Sequence, residues 1–184
     1  MAVPAAETGF DRFDGRQAAA HAAELQSLHD EVYADPPAAG EDFARRFRVH
    51  CRQPGFLLVA ARSGGYLIGY AAGMPLRPST SWWREVTTTL PEDVTTEYPG
   101  RTFALVELLV RGSWRRQGIG RSLHDLILAR RPEERATVVV PPAAAAAQAA
   151  FQSWGWQKIA RARNPVGLPA SDVLVTALSA DRER

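Results

Sequence analysis

Two features of the sequence carry residue types and spacings suited to chemistry. Glu107 interrupts the otherwise apolar run from Thr102 to Val110. An unpaired carboxylate there is costly, and burial raises its pKa toward the range in which it works as a general base. The structural alternative is a Glu107 paired with an arginine to hold a sheet together. Directly after this run, Arg111, Arg115, Arg116 and Arg121 fall within eleven residues that contain no acid. Arginine's planar, permanently charged fork suits phosphate better than lysine's point charge. Gly118 and Gly120 sit where a helix begins, and a helix N-terminus exposes unpaired N–H groups and partial positive charge that an anion can approach over glycine. The segment reads either as an anion cradle or as a tight turn. It is not a P-loop, because no Gly-Lys-Ser/Thr closes it, and Leu123 stands where a dinucleotide fingerprint needs its third glycine.

The elements that must position these residues follow from periodicity. Met1 to Gly15 holds at most a short edge strand. Arg16 to Tyr33 places Ala18, Ala22, Leu25, Leu28 and Val32 at helical intervals, ended by Pro36 and Pro37. Glu41 to Arg52 predicts a second helix with Phe43, Phe47 and His50 on one side, closed by Pro54-Gly55. Phe56 to Ala61 and Tyr66 to Met74 flank Ser63-Gly64-Gly65 as a β-hairpin. Leu76 to Gly100 has three prolines and no period, so it is expected to serve a ligand as well as to connect. Thr102 to Val110 reads as a central strand covered on both faces. After the arginine turn, Ile119, Leu123, Leu126, Ile127 and Arg130 trace a helix ended by Pro132. Ala136 to Val140 is a strand, and Pro141-Pro142 opens an alanine-rich helix to about Trp154 with Gly155 as its C-terminal cap. Trp156 to Arg163 and Asp172 to Leu178 complete the set as strands, joined by a Pro/Gly turn over Asn164 to Pro169. Mixed α/β architecture follows.

The 184 residues, 46% hydrophobic and 23% charged, describe an ordinary globular chain of one domain over 1–184. No apolar stretch reaches the ~20 residues a bilayer crossing needs, and Glu7, Asp11, Asp14 and Glu24 leave no signal-peptide core. A cytoplasmic protein without a membrane partner is expected. The single cysteine, Cys51, excludes an internal disulfide or a thiolate metal cluster. His21, His29, His50 and His124 lack metal-ligand spacing and read as surface or satisfied core residues, with His124 and Asp125 solvated, so no metal is expected. The net charge of +2 is too small to argue for nucleic acid, and Trp114 alone interleaves the arginine cluster where single-strand binders interleave several aromatics.

Val110 through Gly120 resembles the acetyl-CoA pyrophosphate loop of the GNAT superfamily of N-acetyltransferases, Arg/Gln-x-x-Gly-x-Gly/Ala, which Arg115, Gly118 and Gly120 match. The resemblance runs over most of the chain, and Phe151-Gln-Ser-Trp-Gly-Trp156 resembles the family's Tyr-Glu-x-x-Gly-Phe. It implies a central mixed, mostly antiparallel sheet flanked by about four helices. That sheet is splayed at the cofactor site, between the strand ending at Val110 and the next, ending at Val140. It also implies acetyl transfer from acetyl-CoA, a co-substrate, to a primary amine of a small molecule or protein by direct attack. Backbone groups of Leu108, Leu109 and Val110 would pair with the pantetheine arm. Arg115, Arg116, Gln117, Gly118, Ile119, Gly120 and Arg121 would form the pyrophosphate site. Glu107 is then the candidate catalytic base that takes the amine's proton, and a homodimer is the family's common assembly.

Two departures stand out. Phe151 replaces the tyrosine that protonates the leaving thiolate in many members, and Ala144 replaces an asparagine near the cofactor. Tyr33, Tyr66, Tyr70 and Tyr98 are the open candidates for the acid. A non-catalytic acyl-CoA-binding module on the same fold is the alternative function. On the acceptor side, the Leu76 to Gly100 loop sets Arg77 and Arg84 against Glu85, Glu92, Asp93 and Glu97. Either this acidic loop and Trp82 and Trp83 receive an amine, or the charges form a solvated rim and the tryptophans pack on the core or a partner subunit.

Overall fold

A computed structural model describes residues 7–33, 40–163 and 170–178. The prolines at 36 and 37 and the turn over 164–169 lie outside the described residues. Seven strands are hydrogen-bonded in the order β1-β2-β3-β4-β5-β7-β6. They are β1 (Thr8–Asp14), β2 (Leu57–Ser63), β3 (Tyr66–Pro75), β4 (Thr102–Val110), β5 (Arg135–Val140), β6 (Gln157–Ala162) and β7 (Ser171–Ala177). The β4–β5 pair is parallel, whereas β1–β2, β2–β3, β5–β7 and β6–β7 are antiparallel. Mixed α/β architecture with a mostly antiparallel open sheet is therefore the observed fold. Contacts divide the chain into two compact units, Met1–Met74 with Val106–Ala129 and Pro75–Leu105 with Arg130–Arg184.

In the first unit the expected helix from Arg16 is two helices, α1 (Gly15–Ala19) and α2 (Ala22–Val32). A capping box starts α1, in which Gln17 N–H donates to Asp14 Oδ1 at 2.8 Å and Asp14 N–H to Gln17 Oε1 at 3.0 Å. The break at Ala20-His21 seats α1 on β1 and lets α2 pack along α3 (Gly40–Cys51). His21 fixes the corner with its ring 4.7 Å from that of Phe13. The sequence carried no sign of this break because alanine favours helix throughout and neither Gly nor Pro marks the corner. Leu25, Leu28, Phe43, Phe47, Leu58, Ala60, Tyr70 and Leu109 pack together as the unit's main core. Val59, Ala61 and Ile68 are also buried, so β2 and β3 are covered on both faces and read as continuous apolar runs. The amphipathic helix α5 (Ile119–Leu128) packs on β2 through a face that includes Ile119, Leu123 and Ile127. Gly69 is required by close approach, since a Cβ there would meet the Leu109 carbonyl oxygen at 2.7 Å.

In the second unit the loop expected over Leu76 to Gly100 contains a single helical turn, α4 (Glu92–Thr95), and an isolated bridge from Val86 to Ala162. Trp83, Val86 and Leu90 pack on Ala160, Ala162 and Val173. Trp83 Nε1 donates to Glu97 Oε1 at 3.0 Å, and that carboxylate also accepts from Thr102 Oγ1 and Arg135 Nη2. The solvated-rim reading therefore fails for Glu97, which is 6% exposed, while the packing reading holds for Trp83. The remaining helix, α6 (Ala145–Ser153), ends at Gly155 with φ of +87°.

Candidate active site

The first unit brings the two chemical features together along one stretch of chain. The hydrogen bond from Leu76 N–H to Thr102 O, and that from Arg111 N–H to Ile68 O, register β3 against β4. Ile68 to Leu76 spans eight steps and Thr102 to Arg111 spans nine, so β4 carries one extra residue, a β-bulge. Pairing with β5 covers Thr102 to Leu105 only, which leaves Val106 to Val110 beyond it. A bulged strand end of this kind re-aims side chains and frees backbone groups at a site.

Glu107 lies on this stretch with 16% of its side chain exposed. Burial pushes its carboxyl up to about 7, and the Arg46 guanidinium draws it partly back. Arg46, which the sequence reading missed, falls three residues after Phe43 and four before His50, so helical spacing alone puts it on their face of α3. Its Nη2 stands 4.0 Å from Glu107 Oε1. An arginine partner, which the structural alternative for Glu107 calls for, is thus present at the long end of the ion-pair range. A narrow cavity beside the carboxylate is lined by Phe43, Arg46, His50, Ala72 and Val106. Burial and the Arg46 charge both lower the pKa of His50, which keeps its ring neutral near neutrality.

The four tyrosines separate clearly. Tyr98 donates to Glu134 at 2.8 Å in the second unit, and Tyr66 packs under Arg111 with the guanidinium carbon 4.5 Å from the ring centre. Tyr70 is fully buried, and its hydroxyl has no partner among the described residues. Tyr33 exposes much of its ring, yet shielding of its hydroxyl and the nearby Glu107 charge push the phenol up to about 12. Arg46 and Arg115 act on Tyr33 in the opposite sense. Tyr33 is thus the tyrosine that feels both the carboxylate and the arginine turn.

The turn itself opens with a 3₁₀ turn at Gly112–Trp114 and continues through Arg116 and Gly118, whose φ values are 63° and 81°. Gly118 is the N-terminal cap of α5, and the first helical bond runs from Ser122 N–H to Gly118 O. The N–H groups of Arg116, Gln117, Gly118, Ile119 and Gly120 have no partner among the described residues. A cradle of outward N–H groups at the positive end of a helix fits a diphosphate. A Cβ on Gly120 would lie 3.8 Å from the nearest atom, Val110 Cγ2, so the glycine leaves room there.

The arginines divide by role. Arg111 is buried, donates from Nε to Leu67 O at 2.8 Å and pairs with Glu31, so it secures the turn. Arg115 Nε donates to Val110 O at 3.0 Å, Gln117 Nε2 donates to Ser113 O at 3.2 Å, and Arg121 Nε lies 2.7 Å from Asp125 Oδ2 along the helix. Arg116 stays exposed. Of the other predicted residues, Leu108 and Val110 are half-buried, and Leu109 turns its side chain into the core. One expectation needs correction. His124 is 1% exposed with Nδ1 2.8 Å from Asp125 Oδ1, because it joins the buried face of α5. Phe151 is held in the second unit's interior by Trp154 and Trp156, with ring centres 5.3 and 5.1 Å away.

Residues 22–156 match the model of the acetyltransferase (GNAT) family. Solved structures share the fold at low identity. A GNAT-family protein from Desulfovibrio desulfuricans has a TM-score of 0.68 at 14% identity, covering 94% of this chain and 100% of its own. An aminoglycoside 6'-N-acetyltransferase complexed with coenzyme A has 0.64 at 14%, covering 93% and 97%. The ribosomal-protein-S18-alanine N-acetyltransferase from Escherichia coli has 0.62 at 15%, covering 94% and 95%. No functionally curated protein matches the sequence.

Proposed function

Because the chain belongs to the acetyltransferase (GNAT) family, and is by that membership an acyltransferase, we propose that it moves an acetyl group from acetyl-CoA to a primary amine with Glu107 as the base. The observation that carries this is a buried carboxylate, titrating near 7, on the strand that leads into the open N–H cradle at the start of α5. Acetyl-CoA supplies the activated thioester. Backbone groups of Leu108 to Val110 hold its pantetheine arm, and the N–H groups of residues 116–120 hold its diphosphate, with Arg115 and Arg116 adding charge and Arg121 flanking the helix start. Glu107 takes a proton from the acceptor ammonium, directly or through one water, so that the amine attacks the thioester carbon as the thiolate leaves. The two structural relatives named as an aminoglycoside 6'-N-acetyltransferase and a ribosomal-protein-S18-alanine N-acetyltransferase support an amine acceptor on a small molecule or a protein.

Phe151 has no proton to give the thiolate. Tyr33 fits that task best of the four tyrosines, because it stays protonated and lies within the electrostatic reach of both Glu107 and Arg115. The experiment is thiol release from acetyl-CoA in the presence of a panel of primary amines, with calorimetric titration of acetyl-CoA alongside. Amine-dependent thiol release that Glu107→Gln abolishes supports the reading. Tight acetyl-CoA binding with no thiol release on any amine supports the acyl-CoA-binding module instead.

A further inference from the structure

A second cavity in the first unit lies between α1, α2 and α3, shares Phe43 and Phe47 with the narrow cavity beside Glu107 but no residue with the proposed acetyl-CoA site, and has a volume of about 540 Å³. That is the size of small-molecule sites in general. Its walls are Ala19, Ala22, Ala23, Phe43, Phe47 and Cys51. The alanines create it, because α2 presents methyl groups where larger side chains would close the gap to α3. Along its wall, Gly15 lies against the Cys51 carbonyl so closely that no Cβ fits. Three arginines, Arg16, Arg48 and Arg52, line the cavity, and no acidic residue does so among the described residues. None of the three guanidinium groups has an ion pair or hydrogen bond among the described residues. The other polar side chain of the lining, Gln26, donates its amide to Asp30 at 2.8 Å.

We propose that this cavity is a binding site for an aliphatic carboxylate, an amphiphile with one anionic head and a medium to long hydrocarbon chain. The apolar walls offer a sugar or base few hydrogen bonds, which disfavours nucleotides. They match a hydrocarbon chain, whose burial is favourable in proportion to the apolar area covered. The unpaired guanidiniums match a carboxylate held in their planar forks. The site is separate from the proposed acetyl-CoA site, so its occupancy is testable without reference to acetyl transfer.

Cys51 is the chain's single cysteine and lines the cavity, so its rate of reaction with a disulfide reagent reports occupancy. Monomeric dodecanoate is expected to slow that reaction saturably and to give a matching calorimetric isotherm. Arg16→Gln/Arg48→Gln/Arg52→Gln is expected to weaken both by about tenfold or more, and the methyl ester of dodecanoate to bind the wild type similarly poorly. Ala23→Trp fills the cavity and is expected to abolish binding, which serves as a second readout should the triple variant fold poorly. Acetyl-CoA affinity is expected to be unchanged in all of them. The proposal is overturned if dodecanoate neither binds saturably nor protects Cys51. It is equally overturned if the well-folded triple variant binds as tightly as the wild type, or if only phosphatidylglycerol vesicles bind.

Discussion

Arg46 Nη2 stands 4.0 Å from Glu107 Oε1, beyond hydrogen-bond distance yet within electrostatic reach. At that separation the guanidinium moderates the effect of burial without cancelling it, and the carboxyl titrates near 7. A base with that pKa is only half ionised at neutrality, so kcat/KM is expected to rise with pH through about 7 and level off above it. Glu107→Gln is expected to remove the inflection and lower the rate by about 10²- to 10⁴-fold. Arg46→Met removes the cation that lowers the pKa and is expected to move the inflection to higher pH. Rate profiles of the three proteins check this, and an inflection retained in Glu107→Gln would assign the base elsewhere.

The same carboxyl sets a stability dependence. Its ordinary value is 4.5 and its folded value about 7, so between those pH values the native state holds more protons than the unfolded chain. Stability is therefore greatest below about 4.5 as far as this group is concerned, falls as pH rises to about 7, and stays reduced above that. The loss is at most about 3 kcal/mol on the usual conversion of pKa to free energy. Urea unfolding of Glu107→Gln against wild type is expected to show a gain of that order at pH 8 and little difference near pH 4.5. Equal differences at both pH values would mean that Glu107 is not buried as a carboxyl.

The strands that hold the candidate site were legible in the sequence because they are apolar on both faces. Thr102 to Val110 was readable to the residue, and the glycines marked the start of α5. Contacts made only in three dimensions were not legible. The β-bulge in β4 is a register difference against β3, and no residue in β4 announces it. Arg46 and Tyr33 come within electrostatic reach of Glu107 only because α2 and α3 pack together. His124 was placed in solvent because histidine is polar, although its position one residue after Leu123 widens the buried stripe of α5. Composition misled the reading of Glu97 as well, since a loop acid counts as surface until Trp83, Thr102 and Arg135 converge on it.

Gly118 and Gly120 make separable contributions to the turn. Gly118 holds φ of +81°, a region where a β-branched residue is strained by about 1 to 2 kcal/mol. Gly120 has no such constraint, and a Cβ there would make only ordinary contact with Val110 and Leu108. Gly118→Val is therefore expected to lower both thermal stability and acetyl-CoA affinity. Gly120→Trp is expected to leave the melting temperature nearly unchanged while weakening acetyl-CoA about tenfold or more by filling the cradle. Calorimetry and thermal denaturation of both variants check this. Acetyl-CoA binding to Gly120→Trp at wild-type affinity would place the diphosphate away from the N–H groups of residues 116–120.

Tyr33→Phe tests the phenol as the group that serves the leaving thiolate. Its ring lies 4.7 Å from that of His29, so removal of the hydroxyl keeps the packing. The expected result is a fall in kcat with acetyl-CoA affinity unchanged, while Tyr98→Phe, whose hydroxyl is bound to Glu134 in the second unit, leaves kcat unaltered. A thioester with a better leaving thiol is expected to restore part of the Tyr33→Phe rate, because a thiolate that departs readily needs less proton donation. Equal loss with both thioesters would make Tyr33 a packing residue.

Arg135 and Glu97 form a buried charged pair in the second unit. Glu97 has no exposed side-chain surface, and Arg135 Nη2 lies 3.0 Å from its Oε1. Arg135 also donates to Thr102 Oγ1 at 2.8 Å and Val94 O at 2.7 Å, so one guanidinium ties α4, β4 and β5 to the buried carboxylate. Truncating one partner of such a pair leaves a buried charge uncompensated, at a cost of about 3 to 5 kcal/mol, whereas replacing both by apolar groups is often neutral. Arg135→Ala is therefore expected to destabilise strongly, and Glu97→Leu/Arg135→Met to recover most of the loss. A double-mutant cycle on unfolding free energies checks it. If the two substitutions were additive, the carboxylate would be held by Trp83 and Thr102 alone, and the guanidinium would serve only to bind Thr102 and Val94.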